Sequence, residues 1–560
     1  MKLNPIAQYF LVLLLLIDVH AQWPDPSKKT HGAIWPLPQE IQNSSKTWSI
    51  DPESFKIESD YQCDIITEAI KRYTKRLFPM REKCSLSSKQ DTAVKKPFTN
   101  CYVMDLDKEL EEQSKLVALK IIIQIACPSG VPTSNMDESY KLDVTWKEAI
   151  LRANEVWGAL RGLESFSHMV YCDKTSGYQI RAEIVKDFPR FPHRGVLLDT
   201  SRHFLSVNAL KGNIDLMAQN KFNVFHWHMT DTESCPYSSR VLPKLDHGAY
   251  DDKHKYTIEE ITDVIAYARL RGIRVIPEFD SPAHVGSWGK GYPNILAKCY
   301  AEGFIIDSFK SSILDPTKDE TWDFLETLFQ EVYEVFPDDF MHIGGDEADF
   351  WSGPCWKENK NISDFMALYE LNTTLQLQGW YLNKLRMMMD GIGRKKYIYW
   401  QEVFESGAQL TDSIIQVWKG RSNIEIMAYM HEITAKGISV LLSSCWYLDR
   451  IESLYDWFSF YQCDPQAFNA SEMQKKLVLG GEAALWGEWV DETNVVARLW
   501  PRASAVAERL WSPSKSTQFV SEAWPRLFEM QCRMASRGYP AQPGYGPGFC
   551  DTEYHITLPE

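Results

Sequence analysis

Two adjacent acids, Asp346 and Glu347, close the run Phe340-Met341-His342-Ile343-Gly344-Gly345-Asp346-Glu347, with no lysine or arginine beside them. Side chains alternate faces along a strand, so His342, Gly344 and Asp346 share one face. The two glycines let the backbone leave strand geometry, which allows Glu347 to turn toward the same cavity. Close carboxylates do not ionise equally: one stays charged while the other has its pKa raised and carries a proton. That combination suits a general acid beside a charge stabiliser. Taken alone, the pair fits a solvated loop better, so the case for chemistry rests on what surrounds it.

Acids that work together need a scaffold that converges on them. Short apolar runs recur at 194–199, 223–229, 273–279, 340–343, 397–400, 414–418, 438–442 and 478–485, most of them separated by amphipathic segments. The cleanest of these segments is the helix expected from Ile258 to Arg271, opened by a capping box of Thr257 and Glu260. Eight strand–helix units predict an α/β fold, a (β/α)8 TIM barrel rather than an open doubly wound sheet. No glycine-rich phosphate loop opens any helix, which weighs against nucleotide binding. In such barrels chemistry sits where strands end. His228 and Asp231 follow the second run, and Glu278, Asp280 and His284 the third; Asp346 and Glu347 follow the fourth, Trp400 and Glu402 the fifth. Trp418 follows the sixth, Tyr447 and Asp449 the seventh, Trp486 and Glu488 the eighth. Ahead of the barrel, residues 22–188 read as a smaller α/β domain. It has a strand-like stretch Leu119 to Ile125 and a helix in which Ala149, Leu151, Val156, Leu160 and Leu163 recur. Pro189 and Pro192 mark the boundary with a catalytic barrel over 189–560.

The chain has 20 tryptophans, and many belong to the core. Trp400, Trp418 and Trp486 differ in standing at strand ends with acids nearby. An aromatic wall carrying a few polar groups suits a ligand with apolar faces and hydroxyls, as a pyranose has. Two carboxylates and an aromatic cage together point to glycoside hydrolysis, in which an acid protonates the leaving oxygen and negative charge supports an oxocarbenium-like state. A rival is a metal-dependent hydrolase using His226 and His228, with His284, His342 and Asp280 as further ligands. That alternative leaves the tryptophans unexplained, and the expectation is no metal; activity after EDTA discriminates the two. A sugar-binding protein without turnover would use the same aromatics but has little use for Asp346 and Glu347.

Residues 1–21 read as a secretory signal: Lys2, an apolar run from Tyr9 to Ile17, then Ala21 at a cleavage site. That run is too short to span a bilayer and no later one approaches ~18 apolar residues, so no membrane partner is expected. Sequons start at Asn43, Asn361, Asn372 and Asn469, as fits glycosylation in the secretory route. All 12 cysteines lie beyond the signal, where disulfides are plausible, and none forms a C-x-x-C pair. A formal charge of -15 without a basic run argues against nucleic acid as a partner.

His342-x-Gly344-Gly345-Asp346-Glu347 resembles the family-20 glycoside hydrolases, the β-N-acetylhexosaminidases. The likeness extends through Trp157-Gly158-Ala159-Leu160-Arg161-Gly162-Leu163-Glu164, Phe191-Pro192-His193-Arg194-Gly195 and Asp199-Thr200-Ser201-Arg202-His203. It continues through Phe225-His226-Trp227-His228, Gly480-Gly481-Glu482-Ala483 and Leu499-Trp500-Pro501-Arg502-Ala503. Trp446-Tyr447-Leu448 and Trp400-Gln401-Glu402-Val403-Phe404 are similar to the animal lysosomal subunits of that family.

The resemblance implies removal of terminal β-linked GlcNAc or GalNAc from a glycan, with retention and without a cofactor, the substrate's own acetamide acting as nucleophile. It implies Glu347 as acid and then base, Asp346 on the acetamide N–H, and Tyr447 on the acetamide oxygen. Trp400, Trp418 and Trp486 would cage the sugar, and Arg194, Asp449 and Glu488 would bind it. Asp231 and His284 would support Glu347. The pairs Cys299–Cys355, Cys532–Cys550, Cys63–Cys127 and Cys84–Cys101 are expected on the same basis, as are a homodimer and a lysosomal or extracellular location. Arg194 sits at the start of its strand, the wrong end for a site, and is placed in the site by resemblance alone. Thr232 stands where family members often have a second acid, and Asp449-Arg450 mixes an acid suited to neutral sugars with a base suited to anionic ones. The Gly-Ser-Glu-Pro stretch linked with ganglioside presentation is missing after Cys299-Tyr300.

Overall fold

The computed structural model describes residues 30–79, 84, 115–145, 148–173, 175–305, 312–393, 396–451, 453, 455–544 and 548–550. The expected signal at 1–21 lies outside them. Eight parallel strands close into a barrel. In chain order they are β1 (His193–Asp199), β2 (Val224–Thr230), β3 (Arg274–Phe279), β4 (Met341–His342), β5 (Tyr397–Trp400), β6 (Ser413–Val417), β7 (Ser439–Leu442) and β8 (Val478–Leu485). Each pairs with its sequence neighbours, and β8 returns to β1, where Gly480 faces His193 and Leu485 faces Leu198. The eight apolar runs thus coincide with the eight strands to within a residue or two. Their composition explains this: β1, β2 and β3 are buried at every position, as strands covered on both faces must be.

The helix after β2 spans Ile258–Arg269 and carries the expected capping box. Thr257 accepts from the Glu260 N–H while Glu260 accepts from the Thr257 N–H, which satisfies two donors that a helix start leaves open.

An eight-stranded sheet precedes the barrel, running Lys56–Ser59, Ala118–Ile123, Glu148–Ala153, Tyr140–Asp143, Gly177–Asp187, Glu40–Ile50 and Lys115–Leu116, with Val170–Asp173 also paired to Gly177–Asp187. Here the helix expected from Ala149 is corrected. Ala149 and Leu151 alternate with exposed or half-buried neighbours in the strand Glu148–Ala153, and the helix starts only at Val156. Two apolar residues two apart followed by Val156 mimic helical spacing, but period 2 governs the first half. The helix Val156–Met169 is buried at every residue, Arg161, Glu164 and His168 included. Its polar groups are satisfied across the domain boundary: Arg161 donates to the carbonyls of Arg271 and Gly272, and Arg537 to Glu164.

Cys63–Cys127, Cys299–Cys355 and Cys532–Cys550 are bonded as expected, and Cys445–Cys463 adds a further bridge. Cys84 is corrected: its partner is Cys172, not Cys101, which lies outside the described residues. Cys172 sits on the strand Val170–Asp173, and Gly177 at the start of the next strand faces the Cys84 carbonyl, so sheet pairing brings together cysteines far apart in sequence. Cys235 is a buried free thiol, which burial pushes up to about 12. Among the described residues no helix is long and apolar enough to cross a membrane. Asn43, Asn361, Asn372 and Asn469 are all exposed.

Candidate active site

The turn after β4 decides the site. Gly344 and Gly345 have φ of +74° and +97°, a region costly for residues with a Cβ. Space forbids a side chain as well: a Cβ on Gly344 would lie 1.7 Å from Asp280 Oδ1, and one on Gly345 2.5 Å from Val403 Cγ2. The freed backbone is then pinned, because Gly345 N–H donates to Asp280 Oδ1 at 2.8 Å and the Gly345 carbonyl accepts from Gln378 at 2.8 Å. Glu347 follows at φ +49°, which turns its half-exposed carboxylate out at the barrel mouth while Asp346 stays buried. A strained non-glycine residue held this way marks a position that its surroundings over-determine.

Behind the two acids stands a relay of polar groups. His284 Nε2 lies 3.7 Å from Asp346 Oδ2 and 3.6 Å from Glu347 Oε2, and its Nδ1 is 3.1 Å from Asp231 Oδ1. Burial disfavours the imidazolium, but the Asp231 and Asp346 carboxylates outweigh it and raise His284 to about 9. Asp231 is held well below the usual carboxylate range by His284 and Arg202 in spite of its burial. Asp346 is raised well above that range, by burial first and then by the neighbouring Asp280 carboxylate. Asp280 is raised in the same way, by burial and by Glu278. The Asp280–Asp346 pair therefore keeps a proton at neutral pH.

Aromatic rings close the cavity. Trp400 is fully buried as its floor, 5.9 Å from Trp486 between centroids. Tyr447 lies 6.3 Å from both Trp418, nearly parallel to it, and Trp486. Trp418 is fixed by Glu402, which accepts its indole N–H at 2.8 Å and is 3.3 Å from Lys419. Asp449 stands beyond Tyr447 with Oδ1 buried and unpartnered, and burial, aided by Glu488, raises it to about 6. Glu488 is exposed at the edge.

Asp231, His284, Asp346, Glu347, Trp400, Trp418, Tyr447, Asp449, Trp486 and Glu488 thus gather at one mouth. Arg194 does not. It is the second residue of β1, fully buried at the opposite end, where its guanidinium bonds Glu138 at 2.5 Å and the carbonyls of Lys221 and Phe191 and lies over Trp511. The arginine at the mouth is Arg202, three residues beyond β1, which the sequence reading left unassigned. It binds Asp199 at 2.9 Å and Asp231 at 2.7 Å, and sits 5.2 Å over Trp486. Its signal was its place after a strand end, the rule by which Arg194 was already anomalous.

Of the histidines in the metal alternative, His226, His228 and His342 lie on barrel strands and His284 lies at the mouth. His226, Glu278 and His342 approach within 4.8 Å of one another, as do Asp280, His284 and Asp346. In the first group the imidazoles are engaged by carboxylates: His226 reaches Glu482 at 2.7 Å and Glu278 at 3.0 Å, and His342 reaches Glu278 at 2.9 Å.

Residues 191–514 match the model of the glycosyl hydrolase family 20 catalytic domain, and residues 34–169 match a beta-acetyl hexosaminidase-like domain. The chain is 41% identical to "Beta-hexosaminidase A" of Caenorhabditis briggsae over 97% of this chain and 98% of that one. It is also 41% identical to the human "Beta-hexosaminidase subunit beta", over 97% and 94%. Among solved structures, a Flavobacterium johnsoniae chitobiase superposes with a TM-score of 0.73 at 28% identity, covering 90% of this chain and 73% of that one. With a family match across most of the barrel and relatives of this closeness along nearly its whole length, the chain belongs to glycosyl hydrolase family 20.

Proposed function

We infer that the protein is a retaining β-N-acetylhexosaminidase, an exo-glycosidase that removes terminal β-linked GlcNAc or GalNAc by substrate-assisted catalysis. The observation that carries this is the pair of adjacent acids at one aromatic-walled mouth, Asp346 buried and Glu347 exposed, with His284 within 4 Å of both. Neighbours in sequence cannot flank a glycosidic bond from opposite faces, as a protein nucleophile and an acid do. They can serve a substrate that brings its own nucleophile. The acetamide oxygen attacks the anomeric carbon as Glu347 protonates the leaving oxygen, which gives an oxazolinium ion and a free alcohol. Glu347, now a carboxylate, takes a proton from water, which opens the ring and restores the β-configured sugar.

In this account Asp346 accepts the acetamide N–H and offsets the growing positive charge, and Tyr447 donates to the acetamide oxygen. Trp400, Trp418 and Trp486 hold the ring and its methyl, while Arg202, Asp449 and Glu488 bind hydroxyls. The obvious protein nucleophiles are otherwise engaged: Glu402 holds Trp418 and Lys419, and Glu482 is buried against His193, His226 and Gln416. No cofactor enters the chemistry.

The division into 22–188 and 189–560, a signal at 1–21, glycans on the four exposed asparagines, a homodimer and a lysosomal or secreted location belong to the same proposal. The relatives named as beta-hexosaminidase subunits and the paired cysteines support it. Rates on aryl β-glycosides of GlcNAc, GalNAc, 6-sulfated GlcNAc and glucose test it. The first two should turn over and the glucoside, which has no acetamide, should hardly react. Comparable rates on the glucoside would overturn the mechanism, and full loss of activity in EDTA would revive the metal alternative.

A further inference from the structure

Glu278 lies on the inward face of β3, fully buried, and takes part in no step above. Four side chains converge on it, two of them through hydrogen bonds. Oε1 accepts the Trp400 indole N–H at 2.6 Å and lies 2.9 Å from His342 Nδ1, while Oε2 is 2.6 Å from His228 Nδ1 and 3.0 Å from His226 Nε2. Each oxygen of the carboxylate thus has one hydrogen-bonded partner, Trp400 on Oε1 and His228 on Oε2, which fixes its plane, while His342 Nδ1 is occupied in accepting the Gly344 N–H. His228 passes the constraint on, because its Nε2 is 3.1 Å from Asp231 Oδ2, and Asp231 Oδ1 is 3.1 Å from His284 Nδ1. His284 Nε2 then faces the two acids, buried and without a hydrogen-bond partner.

We propose that Glu278 is a positioning residue for the hydrolysis, fixing the cage floor through Trp400 and, through His228 and Asp231, the imidazole that serves Asp346 and Glu347. The proposal rests on the glycosidase reading and deepens it. One buried carboxylate joins the two halves of the site, so the sugar face and the proton-handling groups keep a common register. A misplacement of about 1 Å in such a site costs on the order of 10²-fold in rate, which is what this anchoring prevents.

The charge on His228 is part of the device. Placed between two carboxylates, the ring serves both only with protons on both nitrogens. Burial opposes that charge, and Glu278 and Asp231 outweigh it, so His228 is held well above its ordinary range. The groups facing it are Glu278 on β3 and Asp280 just after it, Asp231 after β2, Asp199 at the end of β1 and Arg202 beyond it, and the Trp486 ring edge-on at 4.9 Å.

Glu278→Gln tests this in the full-length protein. Glutamine can still accept from Trp400, but its amide N–H meets His228 Nδ1, which must lose its proton to accept. With the Glu278 charge gone, His228 should lose its proton at a lower pH than in the wild type. In kcat/KM against pH on an aryl β-GlcNAc glycoside, a second ionisation should enter the basic limb and steepen it from about tenfold toward about a hundredfold per pH unit. A lowered rate with the wild-type profile would mean a merely structural role and would overturn the proposal. If that variant does not fold, His228→Gln decides. It should lose roughly 10–10²-fold, more on poor leaving groups than on phenolates, since the proton-handling half of the site is what it loosens. Equal loss on all leaving groups would overturn the proposal. Where both variants fold, the double variant should be no worse than His228→Gln alone, and additive losses would contradict the relay. Wild-type activity, measured first, separates failure of this proposal from failure of the glycosidase reading.

Discussion

The two ends of the barrel use the same residue types for opposite purposes, and two arginines on either side of β1 show it. At the closed end Arg194 and Arg161 share Glu138, and Lys221 and Trp511 share Asp187, all with almost no exposure. These charges are all paired and hydrogen-bonded, and the small domain is joined to the barrel through them. At the open end Arg202 is also ion-paired, but the groups near it are left incomplete: His284 Nε2, Asp346 Oδ1, Asp280 Oδ2 and Asp449 Oδ1 are buried without partners. Satisfied buried polar groups fix structure, whereas unsatisfied ones mark where a ligand completes the bonding. The difference separates scaffold from site more surely than residue type does.

The largest effect expected is on chemistry at the open end. Glu347→Gln should lose roughly 10²–10⁴-fold in kcat on glycosides with poor leaving groups, and less in the glycosylation step when the leaving group is an activated phenolate. Equal losses across leaving groups in that step would show that Glu347 only shapes the pocket.

Exchanging the two arginines sharpens the contrast. Arg194→Met should destabilise by about 3–5 kcal/mol, because it breaks a buried ion pair and leaves the Lys221 and Phe191 carbonyls without their donor, and should leave KM of the folded fraction unchanged. Arg202→Met should raise KM. Urea melts and steady-state kinetics on both variants check this, and a KM change confined to Arg194→Met would reverse the assignment.

Acid should act on the two ends with opposite sign. Near the closed end burial pushes Asp215 up, but Arg76 and Arg271 outweigh it and hold it at about 2. A depressed carboxylate contributes stability that is present above its unfolded value near 3.8 and lost as pH falls through about 2, here about 2 kcal/mol. Asp215→Asn should therefore lower Tm at neutral pH and flatten its decline in acid. Asp346 is raised, so folding takes up a proton there, and its contribution is best below the ordinary carboxylate range and fades as pH rises. Asp346→Asn should raise Tm at pH 7.5, with the gain shrinking toward pH 4, while activity is lost.

A smaller effect concerns substrate choice. Asp449, raised to about 6, repels anionic sugars above that pH and accommodates them below it. The rate on 6-sulfated relative to unmodified GlcNAc glycosides should rise as pH falls through about 6, and Asp449→Asn should abolish the trend.

Much of this was legible in the sequence. Strands buried on both faces read as unbroken apolar runs, so all eight were located, and the rule that chemistry follows strand ends gathered ten of the eleven residues assigned to the site. Arg194 failed because family likeness was allowed to outweigh that rule, when Asp199-Thr200-Ser201-Arg202-His203 offered an arginine at the correct end. The Cys84 pairing was not legible, since a disulfide depends on which strands are neighbours and spacing carries no such information. Nor was the setting of Glu278: its hydrogen-bond partners Trp400 and His228 come from β5 and β2, and only the fold brings them to one carboxylate.

The central claim is that the substrate supplies the nucleophile. It is tested most directly by kcat/KM on aryl β-glucosaminides whose N-acyl group carries zero, one, two or three fluorines. Each fluorine weakens the carbonyl oxygen as a nucleophile without changing the sugar that the cage holds. The account predicts a steep, stepwise fall across the series; a flat series would contradict it and return the search to a carboxylate of the protein.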